Sequence, residues 1–130
     1  MSALSLRSPR HKMKYDSSIE IARFSTTLNT SVPGSLSKLK KVASVWAINN
    51  NYSSIMTYVD RRIGSGAGYA SCGFSLVGSS EVDYWYTDNY LRYDRFKFKA
   101  QKDKPENIVA LEAGVSRIWG CGSQILLLNL

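Results

Sequence analysis

From Ser35 the chain reads Ser35-Leu36-Ser37-Lys38-Leu39-Lys40-Lys41-Val42-Ala43-Ser44-Val45-Trp46-Ala47-Ile48, then Asn49-Asn50-Asn51, then Tyr52-Ser53-Ser54-Ile55-Met56-Thr57-Tyr58-Val59. Apolar residues recur at Leu36, Leu39, Val42, Ala43 and Trp46, the spacing of one helical stripe, with Lys38, Lys40 and Lys41 off it. The asparagine triplet stops that helix, and Ser54 to Val59 follows as a strand. Upstream, Ile19 to Phe24 has the length and branching of another strand, and Leu28 to Gly34 is a loop rich in Asn, Thr, Ser and Pro. A strand, helix, strand order implies a right-handed crossover onto a parallel pair.

Outward from this unit, Met1 to Leu6 reads as a short strand, and Arg7 to Ser18 as a basic loop in which Pro9 bars regular pairing. Downstream, Asp60-Arg61-Arg62 makes a turn, and Gly66 to Cys72 forms two helical turns capped by Gly73. Phe74 to Val77 and Tyr84 to Thr87 flank Gly78-Ser79-Ser80-Glu81 and read as antiparallel neighbours; Arg92 to Lys99 extends the sheet. Pro105 opens a helix through about Ala113, closed by Gly114, and Arg117 to Trp119 with Gln124 to Leu128 make a last hairpin over Gly120-Cys121-Gly122-Ser123. The expected fold class is α/β in the α+β sense: a mixed, partly antiparallel sheet with two to three helices. It forms one domain over residues 1–130, of which 1–18 are an edge strand and basic loop.

A chain of 130 residues, 44% hydrophobic, can bury a core of its own, and no window resembles a membrane span. No charged n-region leads into an apolar run, which points to the cytoplasm. The net charge of +7 and pI near 9.5 favour a polyanionic partner, with nucleic acid leading, because each neutralised phosphate releases counterions. Cys72 and Cys121 lie far apart and outside any C-x-x-C or Cys/His cluster, so they are assigned to packing and no metal site is expected. The sole histidine, His11, sits in the N-terminal loop, and Asp60, Asp83, Asp88, Asp94 and Asp103 are scattered over turns, so no nuclease centre is expected.

Three places can meet an anion. A period of two through Arg92 to Lys99 places Arg95, Lys97 and Lys99 on one strand face and Phe96 and Phe98 on the other, beside Tyr84-Trp85-Tyr86, Tyr90 and Tyr93. That mixture suits phosphate contact and base stacking, and equally suits a solvated face over an aromatic core. Arg61 and Arg62 end a strand, where a guanidinium can grip phosphate or pair with Asp60. The loop Thr30 to Ser35 opens the long helix, so Ser31, Gly34 and Ser35 can border an anion, or Ser35 can simply cap free amides.

The segment Tyr58-Val59-Asp60-Arg61-Arg62-Ile63-Gly64-Ser65-Gly66-Ala67-Gly68-Tyr69-Ala70-Ser71-Cys72-Gly73-Phe74 resembles the "Y-x-D-R-R … G … Y-x-x-x-G-F" signature of the C-terminal module of phage-type homing endonucleases. Ile19 to Phe24, Leu28 to Leu39, Tyr84-Trp85-Tyr86, Arg92 to Phe98 and Arg117 to Gly122 follow in the same order, so the likeness covers most of the chain. It implies a nucleic-acid-binding module, DNA being the expected partner, in a bacterial host cell. Arg61, Arg62, Arg92, Arg95, Lys97 and Lys99 would be the contacts, with neither cleavage activity nor a cofactor.

That module is itself similar to the C-terminal half of a GNAT-type acetyltransferase, where a strand and glycine-rich loop feed the helix that holds the coenzyme A pyrophosphate. By that likeness Thr30 to Ser35 would occupy the loop and Tyr69 would match a frequent general acid. The loop departs from the pattern in having one glycine, Gly34, beside Pro33, which lacks an amide hydrogen. The first strands and helices of a full acetyltransferase fold are missing, which implies an open sheet edge covered by the N-terminal segment, a second copy or another protein. The alternatives carried with the nucleic-acid reading are therefore an acyl-coenzyme A-dependent N-acetyltransferase-like enzyme and a small interaction protein acting on a host protein.

Overall fold

A computed structural model describes residues 1–12 and 14–130. Its elements are β1 (Ser2–Arg7), β2 (Ser18–Thr26), α1 (Ser35–Asn49), β3 (Ser54–Asp60), α2 (Ala67–Ser71), β4 (Ser75–Ser79), β5 (Tyr84–Thr87), β6 (Arg92–Tyr93), α3 (Glu106–Glu112), β7 (Ser116–Trp119) and β8 (Ser123–Asn129). This is the expected mixed α+β architecture, with mixed strand pairing and three helices. Contacts divide the chain into one unit of residues 1–80 and 123–130 and a second of residues 81–122. Among the described residues no helix is long and apolar enough to cross a membrane.

The first unit holds a five-stranded sheet in the order β1-β2-β3-β8-β4. Only β2 and β3 run parallel, as the intervening α1 crossover requires. Ala43 and Ala47 of α1 are buried against Ile19, Ile21, Ile55, Phe74 and Leu126, and their small side chains let the helix come close to the sheet. The buried face is thus rotated from the stripe read in the sequence: Leu36 and Leu39 are half-buried, whereas Val42 and Trp46 stay exposed.

Two further expectations about pairing are corrected. β4 pairs with β8, not β5, and β7 pairs with β5, not β8. The run Ile125-Leu126-Leu127-Leu128 is apolar at every position, which suits a strand with neighbours on both sides; β8 accordingly lies between β3 and β4.

On the sheet face away from α1, Glu20 is 1% exposed. It accepts from Arg7 Nε at 3.0 Å and Nη2 at 2.5 Å and from the Arg10 amide at 3.0 Å, so a buried carboxylate anchors the basic N-terminal loop. Nearby, the Tyr58 hydroxyl is buried with no hydrogen-bond partner among the described residues, and burial together with the Glu20 carboxylate pushes its pKa up.

The parallel pair opens into a fork. β2 and β3 match from Ser18↔Ser54 to Ile21↔Thr57 and pair no further, although both strands continue. Against β1 the register steps from Leu6↔Ile21 to Ser5↔Arg23, which leaves Ala22 as a bulged extra residue at the point of divergence. Leu4 and Leu6 share a face of β1, so their partners Phe24 and Ile21 share one as well. The bulge thereby keeps Phe24 on the α1 side while the strand turns away from β3.

The second unit is a three-stranded antiparallel sheet, β6-β5-β7, around Tyr86, Phe98 and Ala110. Here the strand expected over Arg92 to Lys99 is corrected: Arg92–Tyr93 is its only strand portion, and Arg95–Phe98 is a short 3-10 helix. The Asp94 carboxylate accepts from the Phe96 amide at 2.9 Å and starts that turn, and Phe98 fills the core while Phe96 stays exposed. Arg95, Lys97 and Lys99 therefore do not share a strand face.

Candidate functional site

Beyond the fork lies an open cleft of about 460 Å³. Phe24 and Thr26 of β2, Thr30, Ser31 and Gly34 of the loop, Ser35 and Ser37 of α1, and Gly68, Ser71 and Cys72 line it. The bulge at Ala22 supplies the β2 wall, and the loop supplies the helix entrance. Gly34 has φ 71°, a left-handed conformation that a side chain strains, and it stands at the N-cap of α1.

A glycine cap leaves the helix end without a side-chain acceptor. Ser35 lies inside the first turn and does not cap it, contrary to the simpler reading of that residue. The Ser35 amide bonds Val32 O at 3.2 Å and the Lys38 amide bonds Gly34 O at 3.0 Å. Among the described residues nothing accepts from the amides of Leu36 and Ser37. With no acidic residue in the first turn, these donors and the positive end of the helix dipole meet the cleft unneutralised. Ser31, Gly34 and Ser35 are thus brought together.

Tyr69 is placed differently. Its ring packs edge-on against Phe74 at 5.5 Å within the core, and it is not part of the cleft wall. Burial pushes its phenol pKa up. Thr57, the last β3 residue paired to β2, donates to Ile21 O at 3.2 Å at the fork point. Gly66 has φ 75°, and a Cβ there would sit 2.9 Å from Leu126 Cδ1, so the segment leading into α2 runs tight against β8.

The basic residues singled out in the sequence each meet a local partner. Arg62 donates from its amide to Asp60 Oδ1 at 2.9 Å and from Nη2 to Oδ2 at 2.6 Å, and these hydrogen bonds hold the Asp60 carboxyl below its usual range. Arg61 donates to Ser79 Oγ at 2.8 Å. In the second unit, Arg95 approaches Asp83 at 3.3 Å and lies over Phe96, Arg92 lies over Trp85, Lys97 over Tyr93 and Lys99 over Phe96, at 4.4 to 4.9 Å from the ring centres. The seven acidic and seven basic residues of that unit balance, so the whole excess of +7 belongs to the first.

One polar network escaped the sequence reading. Tyr84 and Tyr86 donate to Glu106 Oε1 at 2.5 and 2.7 Å, and Arg117 donates to the Tyr86 hydroxyl at 3.2 Å. The two phenols hold the Glu106 carboxyl below its usual range. The available signal was Glu106 directly after Pro105 at a helix start, with Tyr84 and Tyr86 two apart on a strand.

No family model and no curated protein matches the sequence. Among solved structures, an acetyltransferase from Bacillus subtilis in complex with CoA is similar, with a TM-score of 0.55 and 18% identity over 99% of this chain and 68% of that one. The likeness supports the GNAT-like fold class. It also corrects the leading functional expectation: a CoA-bound acetyltransferase backs the acyl-coenzyme A alternative, not a nucleic-acid-binding module of homing-endonuclease type. The cationic strand face read over Arg95, Lys97 and Lys99 is not formed either.

Proposed function

We propose that this chain is an acyl-coenzyme A-binding module of acetyltransferase type, with its cofactor in the cleft at the start of α1. The observation that carries the proposal is the pair of unspent amides, Leu36 and Ser37, at a helix N-terminus that opens into the cleft. A pyrophosphate is the chemical group such a terminus favours, because several N–H donors converge where the helix dipole is positive. The residues fit that group in part: Gly34 keeps the entrance free of a side chain and the hydroxyls of Ser31, Ser35 and Ser37 border it, while Pro33 removes one donor.

When bound, the cofactor would supply an activated acyl thioester. The chain's own contribution is positional and acid–base. Leu36 and Ser37 would hold phosphate oxygens, and Phe24, carried round by the bulge, would exclude water from the β2 wall. Tyr69 keeps its proton at Oη through the physiological range, since burial raises its pKa above an already high phenol value. It is thus available as a proton donor.

Isothermal titration calorimetry with coenzyme A and acetyl-coenzyme A tests the proposal. Saturable binding of both is expected, with amide shifts in the NMR spectrum centred on Gly34, Leu36 and Ser37. Absence of heat and of shifts at millimolar ligand overturns it.

A further inference from the structure

We propose that the outward face of α1 is a docking surface for an acidic amphipathic helix of a protein partner. Val42, Val45 and Trp46 are 68%, 60% and 45% exposed and stand at i, i+3 and i+4, so they form a ridge on the side of the helix that the sheet does not use. Ile48 adds exposed apolar surface at the same end. Singly exposed apolar residues need no explanation; three aligned on one helix do. Trp46 is also held in place by stacking on Tyr52 at 5.9 Å and 21°, which lowers the entropy it would lose on becoming an anchor.

The charge pattern selects the occupant. Lys38 precedes Val42 by one turn and Lys41 flanks the ridge, both exposed and without an ion pair among the described residues. α1 contains no Asp or Glu, and the unit that carries it holds the entire +7. A second copy would bring the same lysines and no acid to meet them. A membrane surface favours a longer continuous apolar face, whereas Ala43 and Ala47 on the neighbouring face are already committed to the sheet. A helix with an apolar stripe and glutamates along its sides matches both the ridge and the lysines.

The test uses the full chain and a dye-labelled synthetic helix with leucine at heptad positions a and d and glutamate at e and g, a pattern whose acids oppose self-association. Fluorescence anisotropy is expected to show saturable binding that weakens by about tenfold in Val45→Ser/Trp46→Ala and in Lys38→Glu/Lys41→Glu. The second variant changes only exposed lysines, so it keeps the test valid if the first fails to fold by circular dichroism. A peptide with lysine in place of glutamate is expected to bind about tenfold more weakly. Binding that ignores Lys38→Glu/Lys41→Glu, or equal binding of the lysine peptide, overturns the proposal. So does Val45-dependent self-association in sedimentation, or Val45-dependent capture by phosphatidylserine vesicles without peptide binding.

Discussion

Replacing Ser35 by Asp separates a helix-capping role for the loop from an anion-binding one, because the two respond with opposite signs. Ser35 lies in the first turn of α1 and on the cleft wall, with no acid nearby in that turn. A carboxylate there interacts favourably with the helix dipole, a gain of about 0.3–1 kcal/mol. For a chain of this size that raises Tm by roughly 1–4 °C. The same carboxylate would lie within about one helical turn, some 5 Å, of any phosphate held by the Leu36 and Ser37 amides. Two unit charges at that range repel by roughly 3 kcal/mol at an effective dielectric near 20, and solvent in so open a cleft reduces this to about 1–2 kcal/mol. Coenzyme A affinity should therefore fall about 5- to 30-fold. Thermal unfolding by circular dichroism reads the first effect and calorimetry the second, with Ser35→Asn as the uncharged control. A more stable variant with unchanged coenzyme A affinity would refute the placement of phosphate at this helix end.

Three further outcomes are expected. Glu20→Gln should destabilise the fold by about 2 kcal/mol in urea titration; the ion pair is buried on the Glu20 side, but Arg7 and Arg10 can rehydrate, which keeps the loss below the 3–5 kcal/mol of a fully buried pair. A change under about 0.5 kcal/mol would place that carboxylate outside the folding balance. Tyr69→Phe keeps the ring contact with Phe74 and removes the phenolic proton, so any acetyl transfer should drop in kcat while coenzyme A affinity stays level; an equal loss in affinity would make Tyr69 a packing residue instead. Asp88, held at a pKa of about 2 by the Leu91 amide and then by the Tyr93 hydroxyl and the Tyr90 amide, contributes stability above its unfolded pKa near 4. That contribution should fade as pH falls from about 4 to 2, and an Asp88→Asn variant should show a flatter acid limb than the parent.

The order strand, helix, strand was legible because it depends on neighbours in the chain: branched residues at Ile19 to Phe24 and Ser54 to Val59, apolar spacing from Leu36, and the asparagine stop. The loop at Ser31, Gly34 and Ser35 was legible for the same reason, since a proline and a glycine before a helix mark its entrance. By contrast, Arg92 to Lys99 alternates as a strand does, yet its outcome turned on Asp94 capping the next amides and on Phe98 finding the Tyr86 core. Glu20 looked like any polar strand residue, and its burial depended on arginines 10 and 13 positions upstream folding back over it.

The sequence by itself determined most of the elements, their order and the proline-glycine entrance to α1, because local periodicity and turn chemistry are properties of adjacent residues. Only the tertiary structure decided which strands are neighbours, that β2 bulges at Ala22 and parts from β3, and that Arg61, Arg62, Arg92, Arg95, Lys97 and Lys99 each meet a local partner. Those features arise from competition among distant segments for burial and for hydrogen-bond partners, and no window of the chain contains both competitors.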